Sequence, residues 1–214
     1  STSCGDKPPI RIGFAGQITG SKANPSAVVR NGVRLAVEEV NDKGGIRGRR
    51  VELIVRDDEG SHSGAREAVR ELHEAGVEAM IGHTISSTTV ATLDYINEKK
   101  LVTITPTATA DELRGRDDYL FTLPSSNRNL ARKGAAFMAH ELGVHRMSVV
   151  LDYSNKAYTE NFFSSFKEFF EELGGSVVSK NSYRSDSFQR FEQLIAEALS
   201  HDPQGLLVLA PSLD

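Results

Sequence analysis

Apolar residues along the chain follow two periods in turn, and this alternation predicts a regular succession of strands and helices. The compact apolar run at Ile10–Ala15 is typical of a buried strand, whereas the spacing of apolar residues at Val28–Val40 predicts an amphipathic helix. Gly44 and Gly45 follow that helix, as expected at a helix end. A strand, a helix and a second strand in this order need a crossover connection, which indicates a parallel sheet.

The same pattern continues along the chain and predicts an α/β fold of two Rossmann-like lobes with parallel sheets. The predicted strands are 10–15, 51–56, 79–82, 101–105, 119–123, 147–151, 177–181 and 206–210. The predicted helices are 28–40, 63–75, 86–98, 129–142, 159–173 and 188–199.

A turn-rich break at residues 124–127 divides the predicted elements into two groups. We therefore expect an N-terminal tail at residues 1–9, a first α/β lobe at 10–123 and part of a second α/β lobe at 124–214. No helix is predicted after the last strand to cover its sheet, so we expect the second lobe to be incomplete and the chain to continue in a longer polypeptide.

Composition narrows the classes of function. Of the 214 residues, 39% are hydrophobic and 25% are charged, and the net charge is −4. This balance is typical of globular proteins and argues against nucleic acid as the main partner, because phosphate binding needs a concentrated basic face. No apolar run reaches the roughly 20 residues that span a bilayer. GxGxxG, GxxxxGK[ST], HExxH and GxSxG motifs are absent, so we expect no cofactor, no metal and no enzymatic activity.

Polar loops follow several predicted strands, where ligands of parallel sheets bind. The loop Gly16–Pro25 is the first of them. The run Ser86–Thr89 opens a helix, so its hydroxyls and the free backbone N–H groups either cap that helix or bind a carboxylate. Thr107 and Thr109 follow the next strand, in a loop that we expect beside the Ser86 loop. Together the two loops offer groups for both ends of an amino acid; alternatively, the second is an ordinary loop capped by Asp111.

The acidic run Asp57–Glu59 has two interpretations. Three carboxylates suit a metal, but no histidine or further acid lies at ligand spacing, so a role at the helix start near Ser61 and Ser63 is the better interpretation. His83 lies near the serine cluster, where we expect a supporting polar role. An enzyme would require His83, Ser86 and Asp57 to converge.

In the second lobe, Asp152–Asn161 follows a strand and offers Tyr153 and Tyr158, whose polar-tipped rings are suited to closing over a small ligand. Alternatively, Tyr158 packs at the start of the following Phe-rich helix. We expect one face of that helix to pack against the sheet. The residues of this predicted face are Phe162, Phe166, Phe169 and Leu173.

Five segments, in this order, resemble the leucine/isoleucine/valine-binding proteins, within the wider group of type I periplasmic solute receptors of ABC importers. These segments are IRIGFAGQITG, NGVRLAVEEVNDKGGIRGRRVELIVRDDEG, AMIGHTISSTT, LVTITPTATADEL and VVLDYSNKAYTENF. The resemblance covers nearly the whole chain. It implies the type I periplasmic binding protein fold, in which two lobes joined by hinge strands close over a ligand.

The resemblance also implies a ligand-binding set. Ser86 looks like the family's serine that meets the ligand carboxylate, and Tyr158 resembles the second-lobe tyrosine that closes over the ligand. Thr107 and Thr109 fall where family members contact the α-carboxylate and α-ammonium groups, partly through the backbone. The loop Ser21–Ser26 lacks the aromatic residue that often shields the ligand, so amino acids, amides, urea and aromatic acids all remain open. The full expected set is Ser86, Ser87, Thr107, Ala108, Thr109 and Tyr158.

We therefore expect an extracytoplasmic solute-binding protein that captures a small amino acid or related carboxylate by lobe closure and delivers it to the membrane permease of an ABC importer. The alternative is the ligand-sensing extracellular domain of a signalling receptor. Cys4, within Ser3-Cys4-Gly5, partly resembles a bacterial lipoprotein junction, so a lipid anchor and an incidental cysteine both remain open. The expected location is the periplasm or the outer face of a bacterial membrane, with the secretion signal removed.

Overall fold

The structure is a computed structural model that describes residues 7–19, 23–185 and 190–210. The chain forms two compact units. The first comprises Ser1–Ala108 and Gly115–Pro124, and the second comprises Thr109–Arg114 and Ser125–Asp214. Cys4 and residues 20–22 of the first polar loop lie outside the described residues.

The first unit contains a parallel sheet in the order β2-β1-β3-β4-β5. Its strands are β1 (Ile10–Gly16), β2 (Val51–Asp57), β3 (Ala79–Ile81), β4 (Thr103–Thr105) and β5 (Leu120–Thr122). Its helices are α1 (Ala23–Asp42), α2 (His62–Glu74), α3 (Ser86–Val90) and α4 (Leu93–Glu98). The predicted alternation of strands and helices and the parallel pairing are thus confirmed in this unit, except that two short helices replace the one predicted at 86–98.

The core of the first unit forms where α2 and α4 cover the sheet. Ala68, Val69 and Leu72 recur at helical spacing on α2, and they pack with Met80 of β3 and Ile96 of α4. This spacing places the three α2 residues on one face of the helix, which explains why the predicted helix at 63–75 forms almost as expected.

The second unit contains a parallel sheet in the order β7-β6-β8. Its strands are β6 (Arg146–Asp152), β7 (Ser176–Tyr183) and β8 (Gly205–Leu209). Its helices are α5 (Asn127–Ala136), which continues as a π-helical turn at Phe137–Glu141, α6 (Lys156–Glu172) and α7 (Phe191–Leu199). The start predicted for α7, at residue 188, lies outside the described residues.

The aromatic face of α6 packs into the core of this unit, as expected, but it is rotated from the predicted face. Phe163, Phe166 and Phe170 are 7%, 1% and 0% exposed. Phe162 and Phe169 are only partly buried and pack against that cluster, as does Leu173. Of the four residues predicted for the buried face, only Phe166 is fully buried. Five phenylalanines occupy nine positions here, so helical spacing alone does not identify the innermost ones.

The single helix predicted at 86–98 is wrong, since the structure has two short helices separated at Ala91 and Thr92. The Thr92 hydroxyl donates to the carbonyls of Thr88 (3.3 Å) and Thr89 (3.0 Å) at the break. Ser and Thr side chains compete for backbone partners in this way and weaken helix interiors. Among the described residues, no helix has both the length and the apolar character needed to cross a bilayer.

Candidate functional site

The first half of the predicted site lies at the carboxyl ends of β3 and β4. These strands are hydrogen-bonded neighbours in register Met80↔Thr103 and Ile81↔Ile104. The loops that follow them must therefore leave the same edge of the sheet side by side. The Thr107 hydroxyl donates to the Thr84 carbonyl at 2.6 Å, which confirms that the Thr107 loop lies beside the Ser86 loop.

Ser86 and Ser87 are the first two residues of α3 and are 2% and 7% exposed. The N-cap position belongs to Ile85, which makes no side-chain cap bond. The Thr88 and Thr89 hydroxyls both donate back to the Ile85 carbonyl, at 3.1 and 2.8 Å. The cluster therefore divides into two threonines that hold the helix start and two serines ahead of them, rather than forming one simple cap.

Thr107 and Ala108 are held by the same network of hydroxyls. The Thr105 hydroxyl donates to the His83 carbonyl at 2.8 Å and accepts from the Ala108 N–H at 3.2 Å. Thr107 is exposed, whereas Ala108 is buried. Because the Thr107 hydroxyl hydrogen is directed to Thr84, its remaining capacity toward a ligand is that of an acceptor.

Beneath the Ser86 loop lies a buried His83–Asp58 pair. The Nδ1 atom of His83 is 2.7 Å from Oδ2 of Asp58, and both side chains are fully buried. The other Asp58 oxygen accepts from the Gly60 N–H at 2.9 Å. The Nε2 atom of His83 has no hydrogen-bond partner in the described part of the chain, so the Ser86–His83 contact that an enzyme would require is not made through this nitrogen.

Asp57 bonds the loop after β1 and the residue that follows Asp58. Its carboxylate accepts from the N–H groups of Ile18 (2.9 Å), Thr19 (3.0 Å) and Glu59 (2.8 Å) and from the Thr19 hydroxyl. Partial burial opposes ionisation, but these hydrogen bonds outweigh it and hold the pKa of Asp57 below its usual value.

The acidic run as a whole holds the local chain. Asp57 fixes the loop after β1, Asp58 supports His83, and Ser61 caps α2 by accepting from the Gly64 N–H at 2.9 Å. The cap at Ser61 supports the interpretation that the acidic run leads into a helix start rather than a metal site. Within the described residues, no group of three His, Cys, Asp or Glu side chains is placed to hold a metal ion.

The second half of the predicted site lies in the second unit, where Asn127 joins Thr109 to Tyr158. The Asn127 N–H donates to the Thr109 carbonyl at 2.9 Å, and its side-chain Nδ2 donates to the Tyr158 carbonyl at 3.1 Å. The Tyr158 ring lies in the first turn of α6 against Phe162, with ring centroids 6.1 Å apart, and burial raises the pKa of its hydroxyl. The Tyr153 hydroxyl, by contrast, donates a hydrogen bond to the Glu160 carboxylate at 2.7 Å.

The side chain of Asn127 is an unusual choice for stability. It is fully buried, and its Oδ1 has no hydrogen-bond partner among the described residues. An unpaired buried acceptor costs about 1–3 kcal/mol, whereas one neutral hydrogen bond contributes only about 0.5–1.5 kcal/mol. By these typical values, the unpaired oxygen costs about as much as the contact with Tyr158 contributes, or more.

Sequence reasoning predicted neither the link from Asn127 to Tyr158 nor the His83–Asp58 pair. Asn127 lies 31 residues from Tyr158, and His83 lies 25 residues from Asp58. In the sequence, Asn127 was predicted only to be part of the turn-rich break at residues 124–127. A usable signal was its position directly after Ser126, which caps α5 by accepting from the Asn129 N–H at 3.2 Å. With the cap supplied by Ser126, the Asn127 amide can serve another contact.

The fold and these loops identify the class of protein. The chain belongs to the periplasmic binding protein family, whose model matches residues 9–213. It is 31% identical over 160 residues to a Leu/Ile/Val-binding protein of Rhizobium johnstonii, covering 74% of this chain and 43% of that protein. It is 28% identical over 170 residues to a leucine-, isoleucine-, valine-, threonine- and alanine-binding protein of Pseudomonas aeruginosa, covering 79% of this chain and 45% of that protein.

Solved structures agree with this assignment. A leucine-binding protein from Thermotoga maritima matches with a TM-score of 0.83 and 25% identity, over 93% of this chain and 55% of that chain. The predicted type I periplasmic binding protein fold is thereby confirmed. The chain spans about half the length of the relatives it matches.

Proposed function

We propose that this chain is the ligand-binding part of an extracytoplasmic solute receptor, which captures a small amino acid or related carboxylate for the permease of an ABC importer. The observation that carries the proposal is the pairing of the Ser86 and Thr107 loops at the ends of two neighbouring strands. The names of the relatives support it, since they describe proteins that bind leucine, isoleucine and valine.

In the proposed binding mode the Ser86 hydroxyl donates to the ligand carboxylate, and Ser87 lies beside it in the first turn of α3. The backbone at Thr107 and Ala108 meets the polar end of the ligand from the neighbouring loop. Thr109 and Tyr158 complete the set from the second unit. Hydrogen bonds to a charged carboxylate are stronger than neutral ones, so a few such groups suffice to orient a small zwitterion.

The mechanism we propose is lobe closure, in which a ligand bound by residues of both units stabilises the closed state. This mechanism needs no bond-breaking step, and we propose that the protein is a binding protein rather than an enzyme. We place it in the periplasm, as for the family. Anchoring through Cys4 remains a prediction, and mass spectrometry of the protein from its native membrane would test it.

The Ser86→Ala variant tests the proposed role of Ser86 directly. Removing a hydrogen bond to a charged carboxylate should weaken binding by roughly 1.5–3 kcal/mol, or about 10- to 150-fold in Kd. Isothermal titration with L-leucine, L-isoleucine and L-valine measures this effect. Ser164→Ala is the matched control, because Ser164 lies exposed on α6. Equal affinities for the two variants would remove Ser86 from the site.

A further inference from the structure

Asn127 is the buried polar residue whose contacts suit ligand binding better than they suit folding. It is fully buried, and it donates hydrogen bonds to Thr109 and Tyr158, the two second-unit residues of the proposed site. Its Oδ1 has no partner among the described residues. An apolar side chain of the same size would avoid that unpaired oxygen, so the amide is not explained by stability.

The contacts around Asn127 show that other groups hold α5 against α6. The Arg128 guanidinium binds both carboxylate oxygens of Glu168 at 2.8 and 2.7 Å and lies 4.7 Å from the centroid of the Phe169 ring. Ala131 and Ala135 pack into the same core as the α6 phenylalanines. The Asn127 amide is therefore a local link to the first turn of α6, and losing it should leave the packing of the two helices in place.

The segment that carries Thr109 has a second attachment that does not involve Tyr158. Asn161 Oδ1 accepts from the Asp111 N–H at 3.0 Å, and the Arg128 N–H donates to the Asp111 carboxylate at 3.3 Å. Asn161 lies one turn after Tyr158 on α6, so residues 109–111 follow the start of that helix. The Asn127 side chain, by contrast, bonds the Tyr158 backbone directly.

We infer that Asn127 is a positioning residue of the ligand site, which sets the Tyr158 ring through the Tyr158 carbonyl while its own N–H fixes Thr109. This inference rests on the proposed function, because it assigns Tyr158 and Thr109 to ligand binding. Asn127 itself need not touch the ligand.

The test compares Asn127→Leu with Asn129→Leu, a control at an exposed position two residues further along α5. Each variant is made in the full-length gene product and titrated with whichever of L-leucine, L-isoleucine and L-valine the wild type binds most tightly. Asn127→Leu should raise Kd roughly 2- to 12-fold, the effect of losing one neutral hydrogen bond, and Asn129→Leu should not change it. The ligand-free melting temperature of Asn127→Leu should stay equal or rise.

A double-mutant cycle with Tyr158→Ala separates positioning from a general structural effect. In the Tyr158→Ala background, Asn127→Leu should change Kd by less than about twofold, because the ring that it positions is gone. The same fold-change in both backgrounds, or a lower ligand-free melting temperature that accounts for the loss, would overturn the inference.

The outcomes also distinguish this inference from the proposed function. If Ser86→Ala weakens binding while Asn127→Leu leaves Kd unchanged, the inference about Asn127 fails and the proposed function stands. If the wild type binds neither these three nor any other small amino acid or carboxylate, the proposed function fails, and the inference falls with it.

Discussion

The two units hold their candidate ligand groups in different ways. In the first unit, hydroxyl groups bond backbone carbonyls across neighbouring strand ends, above a buried His83–Asp58 pair. In the second unit, the side-chain amide of Asn127 in α5 donates to the Tyr158 carbonyl in the first turn of α6. Several hydroxyl bonds therefore hold the first set, whereas Tyr158 is held by its place in α6, by its contact with Phe162 and by the Asn127 side chain.

Substitutions should therefore act differently in the two units. Thr84, for example, is held twice, through its carbonyl by Thr107 and through its hydroxyl by Ser26 at 2.6 Å. Removing one such bond leaves the others in place, so binding should depend in the first unit on the groups that touch the ligand. In the second unit, binding should also depend on Asn127, which need not touch the ligand itself. The predictions below test this contrast in order of decreasing effect.

The largest effect is expected from breaking the buried pair. Asp58→Ala should lower the free energy of unfolding by about 1–3 kcal/mol, because the buried Nδ1 atom of His83 is then left without its hydrogen-bond partner. Urea denaturation measures this change. The double variant Asp58→Leu with His83→Leu should recover part of the loss, since neither polar group is then stranded. A loss below about 1 kcal/mol for Asp58→Ala would show that the pair does not support the loop.

A smaller effect is expected from the hydroxyl link between the two loops. Thr107→Val keeps the shape of the side chain but removes its bond to the Thr84 carbonyl, which should lower stability by about 0.5–1.5 kcal/mol. Thr122→Val, at the end of β5, is the matched control. Chemical denaturation of both variants gives the comparison. If the two lose the same stability, the link between the loops is not a stabilising contact.

The smallest effect is a pH dependence in the second unit. Partial burial opposes ionisation of Glu160, but hydrogen bonds from Lys180 and Tyr153 outweigh it and hold the pKa of Glu160 below its usual value of 4.5. Since the folded-state pKa is the lower one, its stabilisation is complete above the unfolded-state value and is lost as pH falls through the folded-state value.

Glu160→Gln should therefore cost up to about 1 kcal/mol at neutral pH and nothing at pH values below the folded-state pKa. Thermal unfolding of both proteins across pH 2–7 measures the difference. A stability difference that stays constant across this range would mean that the charge of Glu160 contributes nothing. Because the Lys180 ammonium donates to both oxygens of this carboxylate, Lys180→Met should remove much of the pH-dependent part in the same way.

The sequence predicted those features that depend on local periodicity. Alternation of strands and helices predicted parallel sheets, and from them the adjacency of the Ser86 and Thr107 loops, which the Thr107–Thr84 bond confirms. Local patterns failed where side chains compete with the backbone, as at Thr92, and where too many apolar residues occupy one helix, as in α6. The links from His83 to Asp58 and from Asn127 to Tyr158 were not predictable, because they join residues far apart in the chain.

The most direct test of the central claim is a thermal-shift panel on the full-length gene product, with L-leucine, L-isoleucine, L-valine, small amides, urea and benzoate. A ligand that binds only the native state raises the melting temperature by mass action. We predict a saturable rise with an amino acid or related carboxylate, strongly reduced in Ser86→Ala although the ligand-free melting temperatures agree. No rise with any carboxylate, or an equal rise in Ser86→Ala, would contradict the account.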